Sequence, residues 1–305
     1  MTHAILIANP NAARTEALTV RRIADVIKGA GWTVEVLATG GPGDARRLAE
    51  YGVERGADVV AVFGGDGTTM QAAAALVGTN TALGLLPGGT GNLLAGNLRL
   101  PTNPVKAAEV MVRGVPTPLD LGRMDRPDGV HYFAVACGAG VDARVMVETS
   151  SAMKHKWGMM AYVATTLRII REIRSVPFEV TVDGVEHRFD AAMLMVANCG
   201  EVIPPIIKLG AGISPSDGLL DLVVFQADSL GGSVRAVWDL LRDAEGTFGE
   251  DVFVGYARGR EISVRTVGEV QPVQMDGEAG GETPFTATVV PGAIRVMLPA
   301  DSRPG

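Results

Sequence analysis

The 305-residue sequence has few of the residue types that build disulfide, zinc or membrane-spanning structures. Its two cysteines, Cys137 and Cys199, lie far apart in apolar, strand-like surroundings, which predicts buried free thiols. Its four histidines are scattered singly and no HExxH motif is present, so nothing indicates a zinc site. No apolar run approaches the roughly 18 to 20 residues that a membrane-spanning helix requires.

The sequence also lacks a basic segment ahead of its first apolar run, MTHAILIANP, and a small-residue cleavage site after it. We therefore expect a first strand rather than a signal peptide, and a cytoplasmic protein. The net charge is −7, with 11 Lys+Arg and 10 Asp+Glu up to Arg123 and 16 and 24 afterwards. Because a nucleic-acid-binding protein should show a basic face, no nucleic-acid partner is expected.

The first part of the chain alternates strand and helix patterns. HAILIAN, WTVEVLA, DVVAVF and ALGLLP read as strands, and Val20, Ile23, Ala24 and Ile27 recur at helical spacing. Continuous Val/Ile/Leu runs are typical of parallel strands buried on both faces. The pattern predicts a doubly wound α/β domain over residues 1–123, with ligands at the carboxyl ends of its strands.

The second part, residues 124–300, has short β patterns separated by turns. FEVTVDGVEHRF carries an Asp-Gly pair flanked by β-formers, which predicts a hairpin. LLDLVVFQ, REISVRTV, PVQMDGE, PFTATVV and AIRVMLP continue the β pattern. We predict a β-rich sandwich or barrel domain. Helices near 157–174 and 229–243 interrupt it, and its last strand could return to the first domain.

Two glycine-rich loops follow strands of the first domain, GGDGTT at 64–69 and PGGTGN at 87–92. Glycines let the backbone adopt positive φ and approach a phosphate, and the helix that follows points its N–H groups at it. GxxxxGK[ST] is absent, and the spacing of the glycines in GGDG does not fit GxGxxG. Asp66 stands where an anion should bind. A divalent cation would let Asp66 lie beside phosphates. The alternative is that each loop merely makes a tight strand-to-helix turn.

Five motifs in order, NPNAA at 9–13, GGDGT at 64–68, LPGGTGN at 86–92, SPSDGLLDL at 214–222 and MDGE at 275–278, resemble the diacylglycerol kinase catalytic-domain family. That family includes bacterial lipid kinases and is related to sphingosine and ceramide kinases. The resemblance covers nearly the whole chain. It implies an α/β nucleotide domain followed by a β-sandwich, with ATP in the cleft between them. The implied reaction transfers the γ-phosphoryl group of ATP to a lipid hydroxyl, with diacylglycerol as acceptor and phosphatidic acid as product.

The resemblance also implies roles for individual residues. Glu278 would accept the proton, and Asp276 and Asp66 would complete an acidic cluster. Mg²⁺ would be bound by the Asp217 side chain and by the main-chain carbonyls of Ser214 and Leu219. The residues implied to line the ATP site are Asn9, Pro10, Asn11, Ala12, Ala13, Thr39, Gly64, Gly65, Asp66, Gly67, Thr68, Thr69, Met70, Gly89, Thr90 and Asn92.

Local sequence leaves other readings of these residues open. Asp276-Gly277 and Asp217-Gly218 could each be a plain turn, and the magnesium could be structural. The chain also departs from the family pattern in two places. Ala13 stands where the family has glycine, and Thr69-Met70-Gln71 stands where it has Asn-Glu after the first glycine loop.

The binding site for the lipid acceptor is indicated by one helical pattern. Met159, Met160, Val163, Leu167, Ile170 and Ile173 share one helical arc, which either packs in a core or forms a lip for an acyl chain. In the second case Lys154, Lys156 and Trp157 would touch anionic head groups, giving transient peripheral contact with the inner face of the membrane. Homo-oligomerisation is left open. Two competing functions are a soluble-acceptor kinase of the NAD kinase type, which also carries GGDGT, and a non-catalytic nucleotide or lipid sensor.

Overall fold

In a computed structural model of the chain, the described residues are 1–13, 15–126, 129–140, 175–203, 207–209, 212–225 and 254–302. The chain divides into two compact units. The first comprises Met1–Leu121, Pro215–Asp217 and Val290–Gly305, and the second comprises Gly122–Ser214 and Gly218–Val289. The helices predicted near 157–174 and 229–243, with Lys154, Lys156, Trp157 and the apolar arc, lie outside the described residues.

The first unit is an α/β structure built on a parallel sheet. Its strands are β1 (His3–Ala8), β2 (Thr33–Ala38), β3 (Val59–Gly64) and β4 (Ala82–Pro87), in the spatial order β2-β1-β3-β4. Its helices are α1 (Ala17–Gly29), α2 (Asp44–Glu54), α3 (Asp66–Leu76), α4 (Leu93–Asn97) and α5 (Pro104–Arg113). Every residue of β3 and β4 is buried, as expected for central strands of a parallel sheet.

Helix packing in the first unit follows the sequence pattern. Helix α1 buries Ile23, Ala24 and Ile27, the residues that recur at helical spacing. Helix α5 starts where Asn103 caps it, because the Asn103 side chain accepts the Val105 and Lys106 N–H groups at 3.0 and 3.1 Å. Both helices contribute to one apolar core with the strands.

The second unit is formed by antiparallel strands. They are β5 (Val115–Arg126), which begins in the first unit, β6 (Gly129–Phe133), β7 (Ala136–Gly140), β8 (Val176–Val182), β9 (Val185–Ala191), β10 (Met193–Ala197), β11 (Glu201–Ile203), β12 (Ile207–Lys208), β13 (Leu220–Phe225), β14 (Val254–Gly259), β15 (Glu261–Thr266), β16 (Pro272–Met275), β17 (Glu278–Glu282) and β18 (Phe285–Leu298). One sheet has the order β14-β13-β10-β7-β16-β17, and the run β18-β15-β8-β9 is part of a ten-stranded sheet.

Buried apolar side chains from both of these sheets pack into a common core. Phe178 and Ile262 reach it from one sheet, and Leu194 and Leu222 reach it from the other. The unit is therefore a β-sandwich, and the predicted fold class, an α/β domain followed by a β-sandwich, is confirmed.

The last strand, β18, takes part in both units. Its first residues pair antiparallel with β15, whereas Arg295 and Val296 pair parallel with Ala82 and Leu83 of β4. The predicted strands PFTATVV and AIRVMLP are thus one continuous strand. Among the helices of the described residues, none combines the length and the apolar character needed to cross a membrane.

Candidate functional site

The sequence motifs of the first unit meet at the carboxyl edge of its parallel sheet. Strands β1, β3 and β4 end at Ala8, Gly64 and Pro87, so Asn9 and the two glycine loops follow at the same edge. The Asn9 side-chain amide donates to the Thr68 hydroxyl at 2.8 Å, and the Gly88 N–H donates to the Gly64 carbonyl at 2.8 Å. Asn9 and Thr68 are therefore neighbours although they are 59 residues apart in the sequence.

Close packing of the two loops, rather than positive φ, requires glycine at position 89. None of Gly64, Gly65, Gly67, Gly88 and Gly89 is among the residues with positive φ, contrary to the expectation from sequence. A Cβ on Gly89 would lie 2.6 Å from the Gly65 Cα, a distance that side chains do not tolerate. The loops therefore touch backbone to backbone, and a cavity of about 10 Å³ lies beside Gly64, Asp66 and Asn92.

Asp66 joins the two glycine loops. It is the first residue of α3, and its carboxylate accepts the Asn92 N–H at 2.7 Å and the Leu93 N–H at 2.6 Å. Leu93 begins α4, so the Asp66 carboxylate accepts N–H groups that a helix start leaves unpaired. Its negative charge also interacts favourably with the positive end of the helix dipole. The carboxylate in the phosphate-type loop thus has a structural task. The catalytic role implied for Asp66 stays a prediction.

Asn92 closes the second loop on itself. Its amide oxygen accepts the Gly89 N–H at 2.9 Å, and its amide nitrogen donates to the Gly89 carbonyl at 2.8 Å. Its φ of 52° is a left-handed conformation that asparagine tolerates better than most residues. Thr90 at the tip of the loop is exposed, so its hydroxyl is open to a ligand.

The loop that follows β2 is held at both ends. The Thr39 N–H donates to the Ala8 carbonyl at 3.0 Å, and Thr39 is buried. The Asp44 carboxylate accepts the Gly40 N–H at 2.7 Å; this bond and the Arg47 guanidinium lower the pKa of Asp44. At the other end, the Gly43 N–H donates to the Gln71 amide oxygen at 3.1 Å.

This contact explains one departure from the family pattern. Gln71 replaces the acid of the family, yet its amide oxygen supplies the same kind of acceptor that a carboxylate would offer to Gly43. The other departure, Ala13, is exposed at the end of the Asn9 loop. That loop is shaped by Asn9, whose side-chain oxygen accepts the Asn11 N–H and whose carbonyl accepts the Ala12 N–H.

In the second unit, Asp276 and Glu278 lie on one hairpin. Asp276 and Gly277 form the two-residue turn between β16 and β17, with φ of 46° and 84°. The Asp276 carboxylate accepts the N–H groups of Ala134, Val135 and Ala136 at 2.7, 2.8 and 3.0 Å. Glu278 follows as the first residue of β17, opposite Met275, and its side chain is exposed.

Both cysteines of this unit are buried free thiols, as the sequence predicts. Burial raises the pKa of Cys137 and of Cys199 well above its ordinary value, and the nearby Asp276 carboxylate raises both further. Thiols in this state are protonated and unreactive, so neither cysteine is a candidate nucleophile.

The predicted magnesium ligands lie on the loop that leads into β13. Asp217 is exposed, and Ser214 and Leu219 are half-buried. A carboxylate, a hydroxyl-bearing residue and main-chain carbonyls offer only oxygen ligands, which suit Mg²⁺. In the part of the chain that the structure describes, no group of three or more His, Cys, Asp or Glu residues could hold a metal ion.

Sequence reasoning missed a buried acid beside this loop. Asp120 is only 4% exposed, its N–H donates to the Pro215 carbonyl at 2.8 Å, and its carboxylate accepts the Gly292 N–H at 2.7 Å. The available signal was a lone acid in the apolar strand sequence LDLG. Asp120 ties the loop at 215–217 to the first unit.

Comparison with known proteins agrees with this architecture. The family model of the diacylglycerol kinase catalytic domain matches residues 3–124, and that of the YegS C-terminal NAD kinase β-sandwich-like domain matches residues 135–298. A diacylglycerol kinase of Mycobacterium tuberculosis H37Rv is 32% identical over 281 residues, covering 90% of this chain and 87% of that protein. A diacylglycerol kinase of Bacillus subtilis 168 is 27% identical over 307 residues, covering 99% and 98%.

A solved structure shows the same fold. The crystal structure of a diacylglycerol kinase from Bacillus anthracis Sterne matches with a TM-score of 0.77 at 20% identity, over 99% of this chain and 98% of that one. Three findings indicate the same family: the matched family models, the identity to the mycobacterial protein and the five motifs. The chain belongs to the diacylglycerol kinase catalytic-domain family of lipid kinases.

Proposed function

We propose that this protein is an ATP- and Mg²⁺-dependent lipid kinase that phosphorylates diacylglycerol to phosphatidic acid. The observation that supports it most is the meeting of the Asn9 loop with two packed glycine loops at the carboxyl edge of a parallel sheet, in a chain whose relatives are named diacylglycerol kinases. Ligands of doubly wound sheets bind at this edge.

ATP is proposed to lie across the outer side of these loops. The cavity of about 10 Å³ that Gly64, Asp66 and Asn92 help to line is too small for any part of a nucleotide, whereas Asn11, Thr90 and Ala13 are exposed. Backbone N–H groups and small side chains would let phosphates approach closely, and the absence of a loop lysine leaves their charge to a cation.

Mg²⁺ is proposed to bind the Asp217 carboxylate and the carbonyls of Ser214 and Leu219. When bound, it supplies positive charge that screens the phosphates and stabilises the charge that develops on them during transfer. Asp217 contributes the one charged ligand of this set, and Asp120 holds the neighbouring Pro215 in place.

Glu278 is proposed to act as the general base. A lipid alcohol is a weak nucleophile at neutral pH, so a carboxylate must accept its proton as the alcohol oxygen bonds to the γ-phosphorus and the bond to ADP breaks. The side chain of Glu278 lies at the start of a strand and next to a fixed turn. It is exposed and therefore accessible to a lipid alcohol.

The lipid acceptor implies transient contact with the inner face of the membrane. Diacylglycerol resides in the bilayer, and a protein that phosphorylates it has to meet it there. The residues suggested for this contact, Lys154, Lys156 and Trp157, are outside the described part of the chain, so the proposal rests on the nature of the substrate.

A soluble-acceptor kinase is the second candidate, because the family model that matches residues 135–298 is described as NAD kinase β-sandwich-like. The purified protein with ATP, Mg²⁺ and a panel of acceptors separates the candidates. ADP release that requires diacylglycerol-containing vesicles supports a lipid kinase, and release that requires NAD supports the alternative. ATP binding without turnover on any acceptor would support a sensor and contradict the proposal.

A further inference from the structure

The turn that precedes Glu278 is fixed more firmly than a hairpin turn requires. Asp276 accepts three consecutive N–H groups, those of residues 134–136, and its own N–H donates to the Ala136 carbonyl at 2.9 Å. In addition, the Gly277 N–H donates to the side-chain oxygen of buried Gln274 at 3.0 Å. Hydrogen bonds to a charged carboxylate are among the stronger ones in proteins.

The segment that Asp276 grips is itself held from its other side. The Ala134 carbonyl accepts the Asn198 side-chain amide at 2.8 Å and the Cys199 thiol at 3.2 Å. The Val135 carbonyl accepts the backbone N–H groups of the same two residues, at 2.8 and 3.0 Å. Residues 134–136 are therefore a rigid support to which the turn at 276–277 is attached.

We propose that Asp276 is a positioning residue rather than an acid–base group: its carboxylate anchors the Asp276–Gly277 turn to residues 134–136 and thereby fixes the strand start that carries Glu278. The inference rests on the proposed role of Glu278 as the base. It changes the role implied by the family resemblance, in which Asp276 belongs to an acidic cluster. A carboxylate that accepts three backbone N–H groups has little capacity left to exchange protons with a substrate.

The chain contains a second turn of the same construction, which serves as a matched control. Asp183 and Gly184 join β8 to β9 with φ of 47° and 85°. The Asp183 carboxylate accepts the Arg260 N–H at 2.9 and 3.1 Å and the Glu261 N–H at 2.9 Å, and the Asp183 N–H donates to the Glu261 carbonyl at 3.0 Å. Val185, which has no acid–base chemistry, stands where Glu278 follows the other turn.

The test compares Asp276→Gly with Asp183→Gly in the full-length protein. Glycine removes each carboxylate and accepts positive φ without strain, so both variants lose the same kind of carboxylate-to-backbone hydrogen bonds. Both should melt at a lower temperature than the wild type. With ATP, Mg²⁺ and diacylglycerol in phosphatidylglycerol vesicles, only Asp276→Gly should lower kcat, by about 10- to 100-fold, because small misplacements of a catalytic group are costly. The KM for ATP should change less than about threefold. Equal kcat in both variants would overturn the inference.

A double-mutant cycle distinguishes positioning from direct catalysis. If Asp276 acts only through Glu278, then Asp276→Gly should have little further effect on the residual single-turnover rate of Glu278→Gln. An effect as large as in the wild type would show that Asp276 takes part in the chemistry itself.

Amide hydrogen exchange gives a readout that needs no activity. The amides of residues 134–136 should lose protection in Asp276→Gly and keep it in Asp183→Gly. Unchanged protection in Asp276→Gly would contradict the anchor. A wild type without lipid-dependent turnover would instead contradict the proposed function, while the exchange result would still decide whether Asp276 holds the segment.

Discussion

Asp66 and Leu93 are 27 residues apart in the sequence, yet the Asp66 carboxylate accepts the Leu93 backbone N–H at 2.6 Å. The same carboxylate accepts the Asn92 N–H at 2.7 Å, so one acid connects the start of α3 to the start of α4. The two glycine loops proposed to bind ATP are thereby held as one surface. This arrangement gives an acid a reason to be present in a phosphate-type loop.

We predict that Asp66→Asn lowers the free energy of unfolding by about 1–2 kcal/mol, because an amide replaces one of the two acceptor oxygens at the helix start. ATP affinity should fall with it, since the second loop loses its tie to the first. Urea unfolding and calorimetric ATP titration check both effects.

Asp58→Asn is the control for this prediction. The Asp58 carboxylate accepts the His3 N–H at 2.7 Å, next to the starts of β1 and β3 rather than their carboxyl ends, so its loss should leave ATP affinity unchanged. If Asp66→Asn raised the magnesium requirement while leaving stability intact, Asp66 would belong to a metal network instead.

Gln71 offers a test of the loop that contains Thr39. Gln71→Met keeps the size of the side chain but removes the acceptor for the Gly43 N–H, so the KM for ATP should rise about fivefold, the equivalent of one hydrogen bond of about 1 kcal/mol. Gln71→Glu restores an acceptor and should stay within about twofold of the wild type. Steady-state kinetics on the pair decide the matter, and identical KM values in Met and Glu variants would refute a positioning role for this contact.

The proposed magnesium site predicts a specific response in Asp217→Asn. Loss of the one charged ligand should raise the Mg²⁺ concentration needed for half-maximal turnover, or lower the melting temperature if the ion is structural. Glu269→Gln, which changes an exposed acid of the second unit, should do neither. An Asp217→Asn protein with wild-type magnesium dependence and stability would mean that the ligands were assigned wrongly.

The buried cysteines predict a reactivity test. Since burial and the Asp276 charge raise the pKa of both thiols, Cys137 and Cys199 should not react with a disulfide reagent in the native protein at pH 8, and both should react after denaturation in urea. A raised pKa in the folded state means that the folded protein holds these protons more tightly. The contribution of these thiols to the free energy of unfolding is complete below the thiol pKa of the unfolded chain, about 8.5, and declines as the pH rises above it. Rapid native labelling would contradict the burial.

The sequence predicted the parts of the structure that depend on local pattern. The four parallel strands, the helical spacing of Ile23, Ala24 and Ile27, and the Asp183–Gly184 hairpin follow from periodicity and turn chemistry, which act over a few residues. The motifs at 9, 64 and 87 were expected at one edge because parallel strands end together.

The partners of the polar side chains could not be predicted in this way. Asp276 binds residues 140 to 142 positions away, and Gln71 binds a residue 28 positions away, so neither contact leaves a local signal. For the same reason the sequence alone predicts positive φ for the loop glycines, whereas at position 89 the approach of one loop to the other requires glycine. A side chain's chemistry can be read from sequence, but its partner depends on tertiary packing.

In the proposed reaction, Glu278 accepts the proton of a lipid hydroxyl during phosphoryl transfer. The most direct measurement is ADP release by Glu278→Gln with saturating ATP, Mg²⁺ and diacylglycerol vesicles, with Glu282→Gln on the same strand as the control. We expect kcat to fall by about 10²- to 10⁴-fold in Glu278→Gln, with ATP affinity retained, and to stay near the wild-type value in Glu282→Gln. A Glu278→Gln protein that turns over diacylglycerol at the wild-type rate would contradict the account.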